Sequence, residues 1–107
     1  MSGAANQTFR GSATLTTPSK KKIKRIVISD ETIEHSYEFQ TRAVGFIIKT
    51  NNSANIQFSF TLNESNTDFF TIDGGSVGEF RDINFAGDSL YYRVSKQCII
   101  EIMELYF

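Results

Sequence analysis

Few residues in this chain have the types and spacing that chemistry needs. His35 is the only histidine and Cys98 the only cysteine, while Asp68, Asp73, Glu79, Asp82 and Asp88 crowd the loop-rich second half. His35 would act as a base or a zinc ligand only if Cys98 and carboxylates completed the set, and no ligand pair has zinc-site spacing. A Ser/His/Asp or Cys/His relay would rest on the same lone imidazole. Two of the carboxylates converging would give the acid and base of glycoside hydrolysis, and several together an oxygen cage for calcium. No spacing matches an EF-hand loop, and Asp73-Gly74-Gly75-Ser76 lacks the GK[ST] ending of a phosphate loop. His35, beside Tyr37 on an alternating stretch, reads as structural or surface, and Cys98, before Ile99-Ile100, as a packed side chain. No catalytic residue, metal site or cofactor is expected, and the chain reads as non-enzymatic.

Charge and aromatic rings offer binding instead. Lys20, Lys21, Lys22, Lys24 and Arg25 follow a stretch with no acid, and all twelve acidic residues lie beyond them. A basic segment ahead of an acidic body suits a docking arm for an acidic neighbour. Nucleic acid is the weaker alternative, since no RRM or cold-shock aromatic motif accompanies the lysines. Phe69-Phe70 and Tyr91-Tyr92 set adjacent rings on opposite strand faces, so one of each pair must look away from a single core. With Tyr106 and Phe107 they are candidate interface aromatics, for another copy, a peptide or a sugar.

The elements that position these groups are strands. Between Ala54 and Leu62, Ile56, Phe58, Phe60 and Leu62 fall on one face and Gln57, Ser59 and Thr61 on the other. That period of two marks a strand with one dry side. Weaker alternation appears at Phe9–Leu15, and Lys20–Ser29 begins basic and ends in Ile26-Val27-Ile28. Thr32–Gln40 sets Ile33, His35, Tyr37 and Phe39 against an acidic face, and Ala43–Ile48 is a short apolar run. Asn51-Asn52-Ser53 reads as a turn, pairing Ala43–Lys49 with Ile56–Leu62 as a hairpin. Phe69–Ile72 and Ser89–Val94 are further strands, and Val77–Phe85 mixes two periods. Cys98–Phe107, apolar on both faces, suits a strand covered on both sides.

Seven or eight short strands without a long helix, in 107 residues, predict one all-β domain. The expected architecture is an antiparallel sandwich over 21–107, with jelly-roll connectivity a candidate, preceded by a flexible arm over 1–20. No signal peptide or membrane span is legible.

Phe69–Ser76, Asp88–Val94 and Cys98–Glu104 follow one another as a Gly-rich turn, a Ser-Leu-Tyr-Tyr strand and an apolar-acidic last strand. That order resembles the small β-sandwich accessory proteins of tailed bacteriophages, which decorate heads or attach near tails. The resemblance implies a non-enzymatic virion component, found in the virion or in host cytoplasm before assembly. It also implies homo-oligomers and other virion structural proteins as partners. The alternative is a carbohydrate- or protein-binding β-sandwich module.

Overall fold

The computed structural model describes residues 17–107, in eight strands. They are β1 (Lys20–Ile28), β2 (His35–Glu38), β3 (Ala43–Thr50), β4 (Ile56–Ser59), β5 (Phe70–Ile72), β6 (Gly78–Arg81), β7 (Ser89–Val94) and β8 (Cys98–Tyr106). One sheet has the order β1-β8-β3-β6 and the other β2-β7-β4-β5, with every pair antiparallel. Successive strands alternate between the sheets except at β4–β5, and this is the connectivity of a jelly roll. The expected all-β sandwich is therefore the observed fold.

The alternating patterns act as read. Ile56 and Phe58 point inward and Gln57 and Ser59 outward, and Leu90, Tyr92 and Val94 share the dry face of β7. In β8, Cys98, Ile100 and Ile102 face the core, while Ile99, Glu101 and Met103 lie half-buried on the outer side between β1 and β3. β1 and β3 pair both edges of β8, and its outer side chains shelter partly against their neighbours on those two strands.

Between the sheets lies an aromatic core. Phe46 is fully buried, and its ring centre lies 4.9 Å from those of Phe39 and Phe80 and 5.1 Å from that of Phe85. Phe58 and Phe60 meet it edge-on at 6.4 and 6.5 Å. Offset and edge-to-face contacts of this kind are the arrangements that ring quadrupoles favour.

The expected hairpin of Ala43–Lys49 with Ile56–Leu62 does not form. β3 pairs with β6 and β8, and β4 with β5 and β7, so the two lie in opposite sheets. Asn51-Asn52-Ser53 carries the chain across the sandwich. Asn51 Oδ1 accepts the N–H of Ile99, Asn52 Nδ2 donates to the carbonyl of Gln97, and Ser53 has a φ of 62°. These bonds tie the crossover to the start of β8.

The organising strand is also shorter than expected. It ends at Ser59, and Phe60 and Leu62 emerge partly exposed. The mixed pattern at Val77–Phe85 resolves into the short β6, followed by a turn in which Asp82 adopts a φ of 61°. The possible strand at Phe9–Leu15, and the expected arm up to residue 16, lie outside the described residues.

Candidate functional site

His35 stands on β2 with its ring stacked on Tyr92 at 5.8 Å, and its Nε2 lies 2.7 Å from the carbonyl oxygen of Asp30. Cys98 is buried, and desolvation pushes its thiol up from the ordinary value, the wrong direction for a nucleophile. Glu79 is ion-paired to Arg81 on β6, and Asp73 and Asp88 hold turns through backbone bonds. Among the described residues, no three His, Cys, Asp or Glu side chains converge to hold a metal ion.

The basic cluster belongs to a sheet. Residues 20–25 are paired one for one with residues 106–101 of β8, and Arg25 and Lys49 flank Glu101 as ion partners. Its lysines are exposed along an edge strand, where repeated positive charge discourages pairing with another edge.

Of the six rings singled out, Tyr92 is wholly buried and belongs to the core. Burial pushes its pKa up to about 12, with Cys98 adding to the rise. Tyr91, Tyr106 and Phe107 are half-buried. Phe69 and Phe70 are the exposed pair, at 39% and 69% of their surfaces.

These two rings belong to a cleft of about 320 Å³ lined by Phe58, Ser59, Phe60, Asp68, Phe69 and Phe70. Phe58, paired in register with Phe70, forms the floor, with ring centres 5.8 Å apart. Phe60 closes one wall at 5.9 Å from Phe58, and is itself backed by the ring of Phe85 at 5.5 Å. Asp68 is exposed at the rim, the group best placed to accept hydrogen bonds from a ligand resting on the rings.

The loop carrying Asp68 is folded onto Glu34. Asp68 and Thr67 donate their N–H groups to the carbonyl of Glu64, while Glu34 accepts the N–H of Asn63 and both the N–H and the hydroxyl of Ser65. Ser65 is fully buried by this anchorage. Burial works against the charge of Glu34, but the bonds from Ser65 and Asn63 outweigh it. Arg93 adds its attraction, and the pKa falls below the ordinary 4.5. A depressed carboxyl stabilises the fold fully above its unfolded pKa, and that contribution is lost as pH falls through the folded value. Protection of the Asn63 and Ser65 amides, taken relative to their intrinsic exchange rates, is therefore expected to fall as pH drops below the ordinary Glu range. NMR protection factors on the wild type and Glu34→Ala check this, because the variant should show low protection at every pH.

A buried pair lies between β2 and β8. Glu104 is fully buried on the inner side of β8 and accepts the hydroxyl of Tyr37 at 2.6 Å and the N–H of Gln40 at 2.7 Å. Nothing in the sequence pattern marked it, because a carboxylate in an alternating strand reads as solvent-facing.

No protein-family model matches this chain, and no curated protein sequence is similar to it. Its likeness is to solved structures. RmlC from Streptococcus suis, in complex with dTDP-D-xylose, superposes with a TM-score of 0.50 at 9% identity, over 95% of this chain and 55% of that one. A cupin-2 domain containing protein from Shewanella frigidimarina gives 0.49 at 14% identity over 94% of each chain. A family two carbohydrate esterase from Cellvibrio japonicus gives 0.39 at 10% identity over 82% of this chain and 35% of that one. The chain thus spans about half the length of the RmlC chain, and at such identities the likeness is one of fold.

The resemblance to phage accessory proteins is overturned, since the fold is that of RmlC. The residues that carried the resemblance, a Gly-rich turn and two alternating strands, are features of jelly rolls at large. The virion location, the homo-oligomer and the virion partners that it implied fall with it, and the lysines behind the nucleic-acid alternative are part of edge strand β1. The expectation of a non-enzymatic chain is corrected too, since it leans on that resemblance and the fold is one that RmlC shares. Among the described residues, no helix is long and apolar enough to cross a membrane.

Proposed function

We propose that this chain is a carbohydrate-binding β-sandwich domain whose sugar ring lies in the Phe58–Phe60–Phe69–Phe70 cleft. The observation that carries the reading is this cluster of phenyl rings, with Phe60, Phe69 and Phe70 exposed around the buried Phe58 and one carboxylate beside them. A pyranose has an apolar C–H face that suits an aromatic wall, and hydroxyl edges that suit a carboxylate acceptor. The concavity and the few polar groups around an apolar floor are those of a small-molecule site. Phe60, Phe69 and Phe70 remain exposed while the core rings Phe39, Phe46, Phe58 and Phe85 are covered, and a bound sugar gives the exposed rings a role. The sugar nucleotide held by RmlC, on the same fold, is in keeping with this reading.

The test is a glycan array followed by calorimetric titration of the sugars retained. Phe70→Ala is expected to weaken binding at least about tenfold, equivalent to ~1.4 kcal/mol, and Asp68→Asn to weaken it less. Because Phe70 is largely exposed, thermal unfolding should hardly change. An array with no retained sugar, or unaltered affinity in Phe70→Ala, would overturn the proposal.

A further inference from the structure

Four strands lie at the edges of the two sheets, and three of them are short: β2 and β6 have four residues and β5 has three. β1 has nine, and β8 is its one partner among the described residues. In an antiparallel pair the N–H and C=O groups of every second residue point away from the partner. Among the described residues, no other strand, turn or loop bonds the backbone on that side of β1. A long edge left bare is a template for another strand, and proteins ordinarily shorten or cover one.

The side chains say what kind of strand this edge suits. Lys20 to Arg25 are exposed without a break, so both faces of β1 are open along this stretch. Lys20, Lys22 and Lys24 stand on one face, and Lys21, Ile23, Arg25 and Val27 on the other. Arg25 is held by Glu101, but Lys20, Lys21, Lys22 and Lys24 enter no ion pair among the described residues. Between the cations, Ile23 and Val27 are exposed over 69% and 75% of their surfaces, with Phe70 the barest of the large apolar groups described. An edge that only kept other strands away would carry charge alone. These two side chains give a neighbour apolar surface to cover.

β1 already pairs with a strand of the complementary kind. In register with β8, Arg25 faces Glu101 and Lys22 faces Glu104, while Ile23 faces Met103 and Val27 faces Ile99. The β8 of another copy has no edge to offer, because β1 and β3 occupy both of them. Another β1 would meet this edge with like charge, which is destabilising across a strand pair. Nucleic acid would neutralise the lysines but would neither use the strand edge nor cover Ile23 and Val27.

We infer that the free edge of β1 is a docking site for an acidic, extended segment of a different protein, added to the sheet as a further strand. Its acids stand opposite Lys20, Lys21, Lys22 and Lys24, and its apolar side chains opposite Ile23 and Val27. Main-chain bonds give such a contact its affinity, and the alternating side chains give it selectivity. The site shares no residue with the phenyl cleft and does not depend on the carbohydrate reading.

The experiment titrates the full chain with a synthetic peptide long enough to face residues 20–27, carrying acids and aliphatic side chains in that order. Binding is expected at low salt and should weaken as salt rises. The same peptide N-methylated at successive central residues cannot hydrogen-bond along either edge, and should bind at least about tenfold more weakly. Lys21→Glu/Lys24→Glu should also cost the unmodified peptide at least about tenfold. Neither lysine faces a carboxylate in register and both are exposed, so thermal unfolding of that variant should hardly change. In NMR, every second amide between Lys20 and Val27 should become protected from exchange when the peptide binds, which attraction between charges alone does not produce. No binding of the peptide would overturn the inference. Equal binding of the N-methylated peptide would overturn it too, as would equal binding of a single-stranded oligonucleotide of the same charge.

Discussion

Phe46→Ala is expected to lower the unfolding free energy by about 3–5 kcal/mol, the cost of deleting a fully buried phenyl ring. The site has little freedom to collapse. Phe46 is in ring contact with Phe39, Phe58, Phe60, Phe80 and Phe85, which come from both sheets and from the connection before β7. Closing the gap would need strands of both sheets to move together. Domains of this size are stable by about 5–15 kcal/mol, so the variant should sit near the folding threshold. Urea denaturation measures it: the midpoint should fall steeply while the slope stays constant. The effect should reach the cleft too, since Phe46 backs both Phe58 and Phe60, its floor and wall. A drop below about 1 kcal/mol would mean the rings repack freely, contrary to the close geometry described.

Glu104→Ala is the second large effect, expected at about 3 kcal/mol or more, in the range for removing one partner from a buried charged set. The reason is asymmetric. Alanine leaves the Tyr37 hydroxyl and the Gln40 N–H without an acceptor, and each orphaned donor costs about 1–3 kcal/mol. Tyr37→Phe removes only one donor from a carboxylate that keeps Gln40, and should cost about 1.5–3 kcal/mol, as for a bond to a charged group. In the double variant the two losses should fall short of their sum, with the difference measuring the coupling. A spectroscopic readout separates this from general loosening. Burial raises the pKa of Tyr37 well above the ordinary phenol value, and the hydrogen bond and charge of Glu104 raise it further. Ultraviolet titration of Glu104→Ala should therefore show one tyrosine ionising at lower pH than in the wild type. Additive losses with an unchanged titration would show that the pair is not coupled.

Both predictions depend on facts that differ in how legible they were. Which residues of a strand share a side could be read directly: Ile56 and Phe58 against Gln57 and Ser59, and Leu90, Tyr92 and Val94 against Tyr91 and Arg93. The pleat makes that pattern local, so a few residues suffice to reveal it. The doubly apolar β8 signalled a covered strand for the same reason, and it is the strand between β1 and β3. The sandwich class followed from the count and brevity of such segments.

The partner of each strand was not legible, and neither was the site. A period of two is the same whether β3 turns back on β4 or crosses to the other sheet, and only contacts distant in sequence choose between them. Glu104 follows the pattern's inward face against its own chemistry, because Tyr37 and Gln40 wait there from a segment more than sixty residues earlier. The phenyl cleft needs β4 to end at Ser59, β5 to form the sheet edge and Glu34 to pin the 63–65 loop, none of which a sequence window contains. Sequence alone determined the strands, their faces and the all-β class, since these are set by neighbours in the chain. Tertiary structure decided the pairing, the buried carboxylate and the phenyl cleft, since these are set by residues that meet only once the sheets have closed.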